Sequence, residues 1–404
     1  MHAYTRFIAA HPWLVAYGLL AAFFSSFGQT FFVALFGGEL RAAFELSHTT
    51  YGALYSGATL ASGLTLTGFG HVMDRMALRR YTLCVCLAAG VAALGMAAVP
   101  SAAVLALAFF AVRLTGQGLL THMSAVAMGR VFARDRGKAV SLAALGHPLG
   151  EAVLPGLAVA AMAAVGWRGT WLAIGLVMLL IVPALMVWLL RRSGAGAGER
   201  PAAGHGGRDT ALGGVVRDPL FVLVAACVLA PPIVVTGMFF HQVALIEAKG
   251  WSMGWLASSY AAFAATTALS SLGAGSLVDR LGSRRVLPAY LLPLAAGLAV
   301  LALGEGRWVL PLYMGLMGAS AGANFTVVGA IWADLYGTAH LGAIRGFVQT
   351  LIVLSTAATP VAVGWVLDAG ITFAGIALAF AAYAAGCAGV LTAAQPMLRR
   401  RMGW

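Results

Sequence analysis

Charge is the scarcest property of this sequence. Asp, Glu, Lys and Arg together make up only 9% of 404 residues, where a soluble chain of this size carries about a quarter. Most of the surface must therefore face something other than water, and an ordinary soluble fold is excluded. Cysteine is scarce too. Cys84, Cys86, Cys227 and Cys387 are the only four, and all fall within apolar runs. Cys84 and Cys86, two apart on a helix, point in different directions, so a shared metal is disfavoured. No disulfide framework is implied, and buried structural thiols are expected. The glycine-rich stretch from Ser193 has no Gly-Lys-Ser/Thr after it and no strand before it, so it is not a phosphate loop. An ATP-driven pump is disfavoured on that ground. No Ser/His/Asp set or metal-ligating cluster appears at a workable spacing, which argues against an enzyme and implies neither cofactor nor metal.

What the sequence has in abundance is apolar residues, 61% of the total. They fall in runs of about 18 or more, each long enough to cross ~30 Å of hydrocarbon as a helix. The runs are too long for barrel strands and lack their period of two. Twelve spans result, from Pro12–Phe36 to Phe373–Ala393. The reading is an all-α membrane protein of two six-helix bundles, 1–190 and 219–404, joined by a linker over 191–218. The linker's Gly, Ser and charged residues cannot bury a core, so a flexible cytoplasmic segment is expected. The first run is too long for the core of a signal peptide and is expected to remain as a span.

The formal net charge of +12 points to topology and not to nucleic acid. Basic residues crowd every second loop, among them Arg79, Arg80, Arg130, Arg191, Arg192, Arg284, Arg285 and Arg399. The alternate loops hold only Arg41, Arg168, Lys249 and Arg307. This asymmetry places both termini in the cytoplasm and requires an even number of spans; the inner membrane is the expected location.

One segment occurs twice. Gly70-His-Val-Met-Asp74-Arg75-Met-Ala-Leu-Arg79-Arg80 follows the second span, and Gly275-Ser-Leu-Val-Asp279-Arg280-Leu-Gly-Ser-Arg284-Arg285 follows the eighth. Spacing and topological place are the same, as an internal duplication requires. This loop pair resembles the signature of the major facilitator superfamily, and the resemblance extends to the two halves, the central linker and the cytoplasmic termini. Arg113-Leu-Thr-Gly-Gln-Gly is similar to that superfamily's fourth-helix motif, with one glycine a residue closer. The stretch from Gly146 through Gly150, Glu151 and Pro155 to Gly156 resembles its fifth-helix motif, which is associated with exporters, although Glu151 departs from it. The resemblance implies alternating access in a monomer, with Asp74, Arg75, Arg79, Arg80, Asp279, Arg280, Arg284 and Arg285 as a gate. The same charges could instead serve insertion and topology alone.

Ionisable residues at membrane depth are costly and mark function. Arg113 lies roughly 16 Å into its span and Glu151 roughly 18 Å into the next, from opposite faces. If they face each other they form a buried pair, either a device that frees Arg113 for an anion when Glu151 is protonated or a static tie. Arg113, Gln117, Thr121 and Ser124 fall on one helical face, as do His147, Glu151 and Pro155. His147 is then either a proton relay to Glu151 or an interhelix donor. Gln29, His241, Asn324 and Gln349 are further candidates for the cavity lining, and Pro231-Pro232 should bend or break the seventh span. The eighth span carries no charge, so an anionic substrate would rely on Arg113. The expected function is proton-coupled movement of a small polar or anionic organic solute through the bilayer. Export of a drug or metabolite, and a transport-inactive sensor or partner subunit, are the alternatives.

Overall fold

The computed structural model describes residues 2–69, 76–132, 135–194, 212–337 and 341–401. Within them every regular element is a helix. The first half contains α1 (Pro12–Ser25), α2 (His48–Phe69), α3 (Leu78–Ala97), α4 (Ala102–Val112), α5 (Thr121–Val131), α6 (Arg136–Ala144), α7 (Gly146–Leu176) and α8 (Val182–Ser193). The second contains α9 (Pro219–Val228), α10 (Ala230–Phe240), α11 (Gln242–Ala248), α12 (Met253–Leu281), α13 (Ser283–Ala289) and α14 (Leu292–Leu303). It ends with α15 (Val309–Tyr336), α16 (Leu341–Asp368), α17 (Phe373–Ala393) and α18 (Gln395–Arg401). Helix starts use familiar chemistry. Asp218 caps α9 by accepting from the Leu220 N–H at 3.0 Å, and Ser252 caps α12 through the Trp255 N–H at 3.2 Å. Both satisfy donors that a first turn leaves open.

Among the described residues, nine helices are long and apolar enough to cross a membrane, or ten with the bent pair Tyr4–Ala10 and Pro12–Gly28. The stretch Gly137–Ser193 spans 57 residues, enough for two crossings of about 20 each. Gly166 divides it, at a φ of 70° that only glycine adopts readily. α2 has 22 residues and is long enough, but its Thr, Ser and Gly make it less apolar. Twelve crossings are consistent with these lengths.

The chain separates into two compact units, Met1–Leu46 with Ala53–Gly204, and Ser47–Gly52 with His205–Trp404. The first turn of α2 is thus counted with the second unit. Much of the expected linker, 195–211, lies outside the described residues. α8 runs three residues past the expected end at Leu190 and closes on Gly194, φ 70°. Leu212–Val216 forms a short helix where a flexible segment was expected, because Val215 and Val216 pack on the second unit's core.

Each unit contains a Gly-x-x-x-Gly contact, the spacing that lets membrane helices approach closely. In the first, a Cβ at Gly146 would overlap the Leu19 carbonyl, and one at Gly150 would overlap the Ser26 hydroxyl. In the second, Gly318 and Gly322 of α15 lie against the Phe263 and Thr267 carbonyls of α12. Cys86, Cys227 and Cys387 are buried as expected, but Cys84 is exposed. Two residues from Cys86, it points away from the packed face of α3.

Candidate functional site

The first span is broken at mid-length. α1 ends at Ser25, a 3-10 turn covers Ser26–Gly28, and Gln29 is extended (φ −77°, ψ 152°) before helix resumes at Thr30. A break frees carbonyls that an intact helix would consume, and inside a bilayer they need another partner. Arg113 supplies one. Its Nη1 donates to the Gly28 carbonyl and to Thr30 Oγ1, each at 3.2 Å. Thr30 Oγ1 also accepts from the Tyr55 hydroxyl at 3.0 Å, and the guanidinium lies 4.9 Å from the centre of the Tyr55 ring. Arg113 is 3% exposed, and its Nε is buried with no hydrogen-bond partner.

Arg113 also opens a π-helix, Arg113–Leu120. Such wide turns are frequent at functional sites. The wider turn shifts the phase, so the expected α-helical stripe from Arg113 through Gln117 and Thr121 to Ser124 is not continuous. Ser124 instead donates to the Gly18 carbonyl at 2.7 Å, while Gln117 is half-buried. Within the π-helix, a Cβ on Gly116 would fall 2.6 Å from Gly28 Cα. The two glycines let the broken span and the π-helix touch backbone to backbone. A small pocket behind this crossing, lined by Phe24, Phe27, Val112, Thr115 and Trp171 among others, is apolar and touches neither Arg113 nor Glu151.

The expected pairing of Arg113 with Glu151 is not made. No ion pair joins them among the described residues, because the guanidinium is engaged by the broken first span. Glu151, half-buried on α7, keeps its Oε2 buried without a partner. One turn before it, His147 Nδ1 lies 3.4 Å from Ser25 Oγ, a long contact. The Ser25 hydroxyl proton goes to the Ala22 carbonyl at 2.6 Å.

In the second unit the seventh span is interrupted twice, at Leu229 beside Pro231-Pro232 and again at His241. His241 is buried, and its Nε2–H donates to the Pro360 carbonyl at 2.9 Å. Its ring lies 5.7 Å from that of His48. Gln242 is buried and accepts from the Tyr260 hydroxyl at 2.5 Å. Asn324 is half-buried with Oδ1 unpartnered, and Gln349 is exposed. Gln29 is half-buried at the break itself.

Of the repeated loops, Asp74 and Arg75 lie outside the described residues. Arg79 and Arg80 are exposed at the start of α3. Asp279, Arg280 and Arg285 are exposed, and among the described residues none has an ion pair. Arg284 Nη1 reaches the Gln395 carbonyl at 3.5 Å, and Gln395 Nε2 donates to the Arg284 carbonyl at 2.9 Å. The turn after Asp279 is held by Asp334, which accepts from Ser283 Oγ at 2.5 Å. Sequence reasoning did not single out Thr30, Tyr55, Tyr260 or Asp334. Their partners lie at least 18 positions away in the chain, beyond the reach of a local pattern.

The family model described as Major Facilitator Superfamily matches residues 18–274, more than half of the chain. No curated protein matches by sequence. The fold is similar to that of a bacterial homologue of the human lysosomal transporter Spinster in an inward-facing, occupied conformation. The TM-score is 0.68 at 15% identity, over 97% of this chain and 95% of that one. It is also similar to the nucleoside transporter NupG (D323A mutant), with a TM-score of 0.68 at 14% identity, over 94% and 99%.

Proposed function

This chain belongs to the Major Facilitator Superfamily, and from that premise we propose that it moves a small polar or anionic organic solute across the inner membrane, coupled to protons. It is a multi-pass membrane protein of a transporter family and not an enzyme. The observation that carries the reading is Arg113. A guanidinium in an apolar interior is stable only when its charge is compensated. Here its Nη1 has neutral acceptors, its Nε has none, and no carboxylate lies within 4.0 Å among the described residues. A carboxylate or phosphate on the solute would supply the missing charge, held by a charge-assisted bond. Thr30, Tyr55 and the Gly28 carbonyl orient the guanidinium for it.

Glu151 supports the proton half of the reading. A buried carboxyl without a cationic partner is stable when protonated and strained when ionised, so binding and releasing a proton there changes the free energy of the state that holds it. Alternating access would then carry solute and proton together past a site near the midplane. Asp74, Asp279 and the arginines of the two repeated loops would serve as the gate.

Thermal stability of the purified protein with a panel of mono- and dicarboxylates and organic phosphates tests the cargo assignment. At least one anion should raise Tm in the native protein, less in Arg113→Lys and not at all in Arg113→Gln. An anion that stabilises Arg113→Gln as strongly as the native protein contradicts it.

A further inference from the structure

Seven arginines lie at one end of the second unit: Arg217, Arg280, Arg284, Arg285, Arg399, Arg400 and Arg401. Among the described residues three carboxylates, Asp218, Asp279 and Asp334, lie at the same end, and two of them are committed. Asp218 accepts from the Leu220 N–H, from the Tyr336 hydroxyl at 3.0 Å and from Arg401 at 3.2 Å. Asp334 takes the Ser283 hydroxyl. Asp279 sits beside Arg280 and forms no ion pair among the described residues. Among the described residues, the cationic surplus is therefore not neutralised by ion pairs.

The arrangement is also oriented. α18 follows directly on α17, an apolar helix long enough to span, so it lies at the membrane boundary. Leu398 is buried and anchors it. Gln395 ties it to α13 through the reciprocal bonds with Arg284, and Arg401 ties it to Asp218 and to the Tyr336 ring at 5.9 Å. Arg399, Arg400 and Arg285 are left exposed on these two joined elements. Exposed apolar side chains accompany them, Met397 on α18 and Leu277 and Leu281 at the end of α12. A surface that sets arginines beside exposed apolar side chains at a membrane boundary matches a molecule with an anionic head and acyl tails.

We propose that α13 and α18 form a binding site for an anionic phospholipid, with Arg285, Arg399 and Arg400 holding the headgroup phosphate and Met397 and Leu281 meeting the acyl chains. A basic face serving only insertion topology would attract anionic headgroups diffusely, with no particular dependence on these three arginines. The site shares no residue with the Arg113 and Glu151 site, and Arg285 belongs to the second repeated loop as well.

Native mass spectrometry of the purified protein titrated with cardiolipin, phosphatidylcholine or inorganic phosphate tests this. Cardiolipin should bind in preference to phosphatidylcholine, and phosphate alone should not compete. The variant R285Q/R399Q/R400Q should lose affinity by about fivefold per arginine, while the matching lysine variant keeps most of it. Unchanged cardiolipin affinity in the glutamine variant overturns the site, as does equal binding of phosphatidylcholine. Competition by inorganic phosphate overturns it in favour of a free-anion site. Should the glutamine variant not fold, salt decides on the native protein: binding must weaken as NaCl rises, and salt-independent binding contradicts the proposal.

Discussion

At the scale of single residues, the account rests on two groups left incomplete inside the first unit, Arg113 and Glu151. Replacing Arg113 with Gln removes the charge while keeping a donor. Solute affinity should fall at least about thirtyfold, the usual cost of truncating one side of a buried charged pair. Initial transport rates against solute concentration check it. Glu151→Gln imitates the protonated carboxyl permanently. Transport by the native protein should rise as the outer solution is acidified, whereas the variant should be flat across the same pH range. A variant that keeps the native pH profile rules Glu151 out as the coupling group. Tyr55→Phe keeps the ring over Arg113 but removes the hydroxyl bonded to Thr30. A loss of about 1 kcal/mol is expected, read as a lower midpoint in thermal unfolding, with solute affinity reduced less than by Arg113→Gln.

At the scale of elements, helix interruptions and glycine faces place these residues. Gly150→Val would drive a branched side chain into Ser26, in the 3-10 turn that follows α1. Overpacking of this kind costs about 1–3 kcal/mol, so the purified variant should unfold at a lower temperature. Gly322→Val should behave likewise through Thr267. In the second unit, Asp368 at the end of α16 accepts from the His48 and Thr49 N–H groups at 3.1 and 2.8 Å and from Thr49 Oγ1 at 2.5 Å. It closes the first turn of α2 as an N-cap side chain would. The sequence reveals some of this structure and hides the rest for a physical reason. Apolar run length marks the spans, and Pro231-Pro232 marks the break in the seventh, because both are local properties. The break at Gln29 has no proline, and its freed carbonyl is satisfied by Arg113, 85 positions away in sequence. A pattern read along the chain cannot register such a partner. The π-turn that begins at Arg113 is hidden in the same way, and it is why the regular stripe inferred through Gln117, Thr121 and Ser124 is interrupted. Arg113 itself was legible from its cost in lipid; its bonding was not.

At the scale of the whole molecule, charge distribution carries the topology. If the basic loops face the cytoplasm as the charge asymmetry predicts, reporter fusions at the carboxyl end and after Arg285 read cytoplasmic, and one after Arg307 reads external. Membership in the superfamily and the apolar helices establish a multi-pass membrane protein, and the uncompensated Arg113 supplies the argument for an anionic cargo. The central claim is that solute anion and proton move together through that site. Proteoliposomes enclosing a pH-sensitive dye test it most directly, with an organic anion that stabilises the purified protein added outside. The account predicts acidification of the interior with the native protein and none with Arg113→Gln. Solute entry into native proteoliposomes with no accompanying proton movement contradicts it.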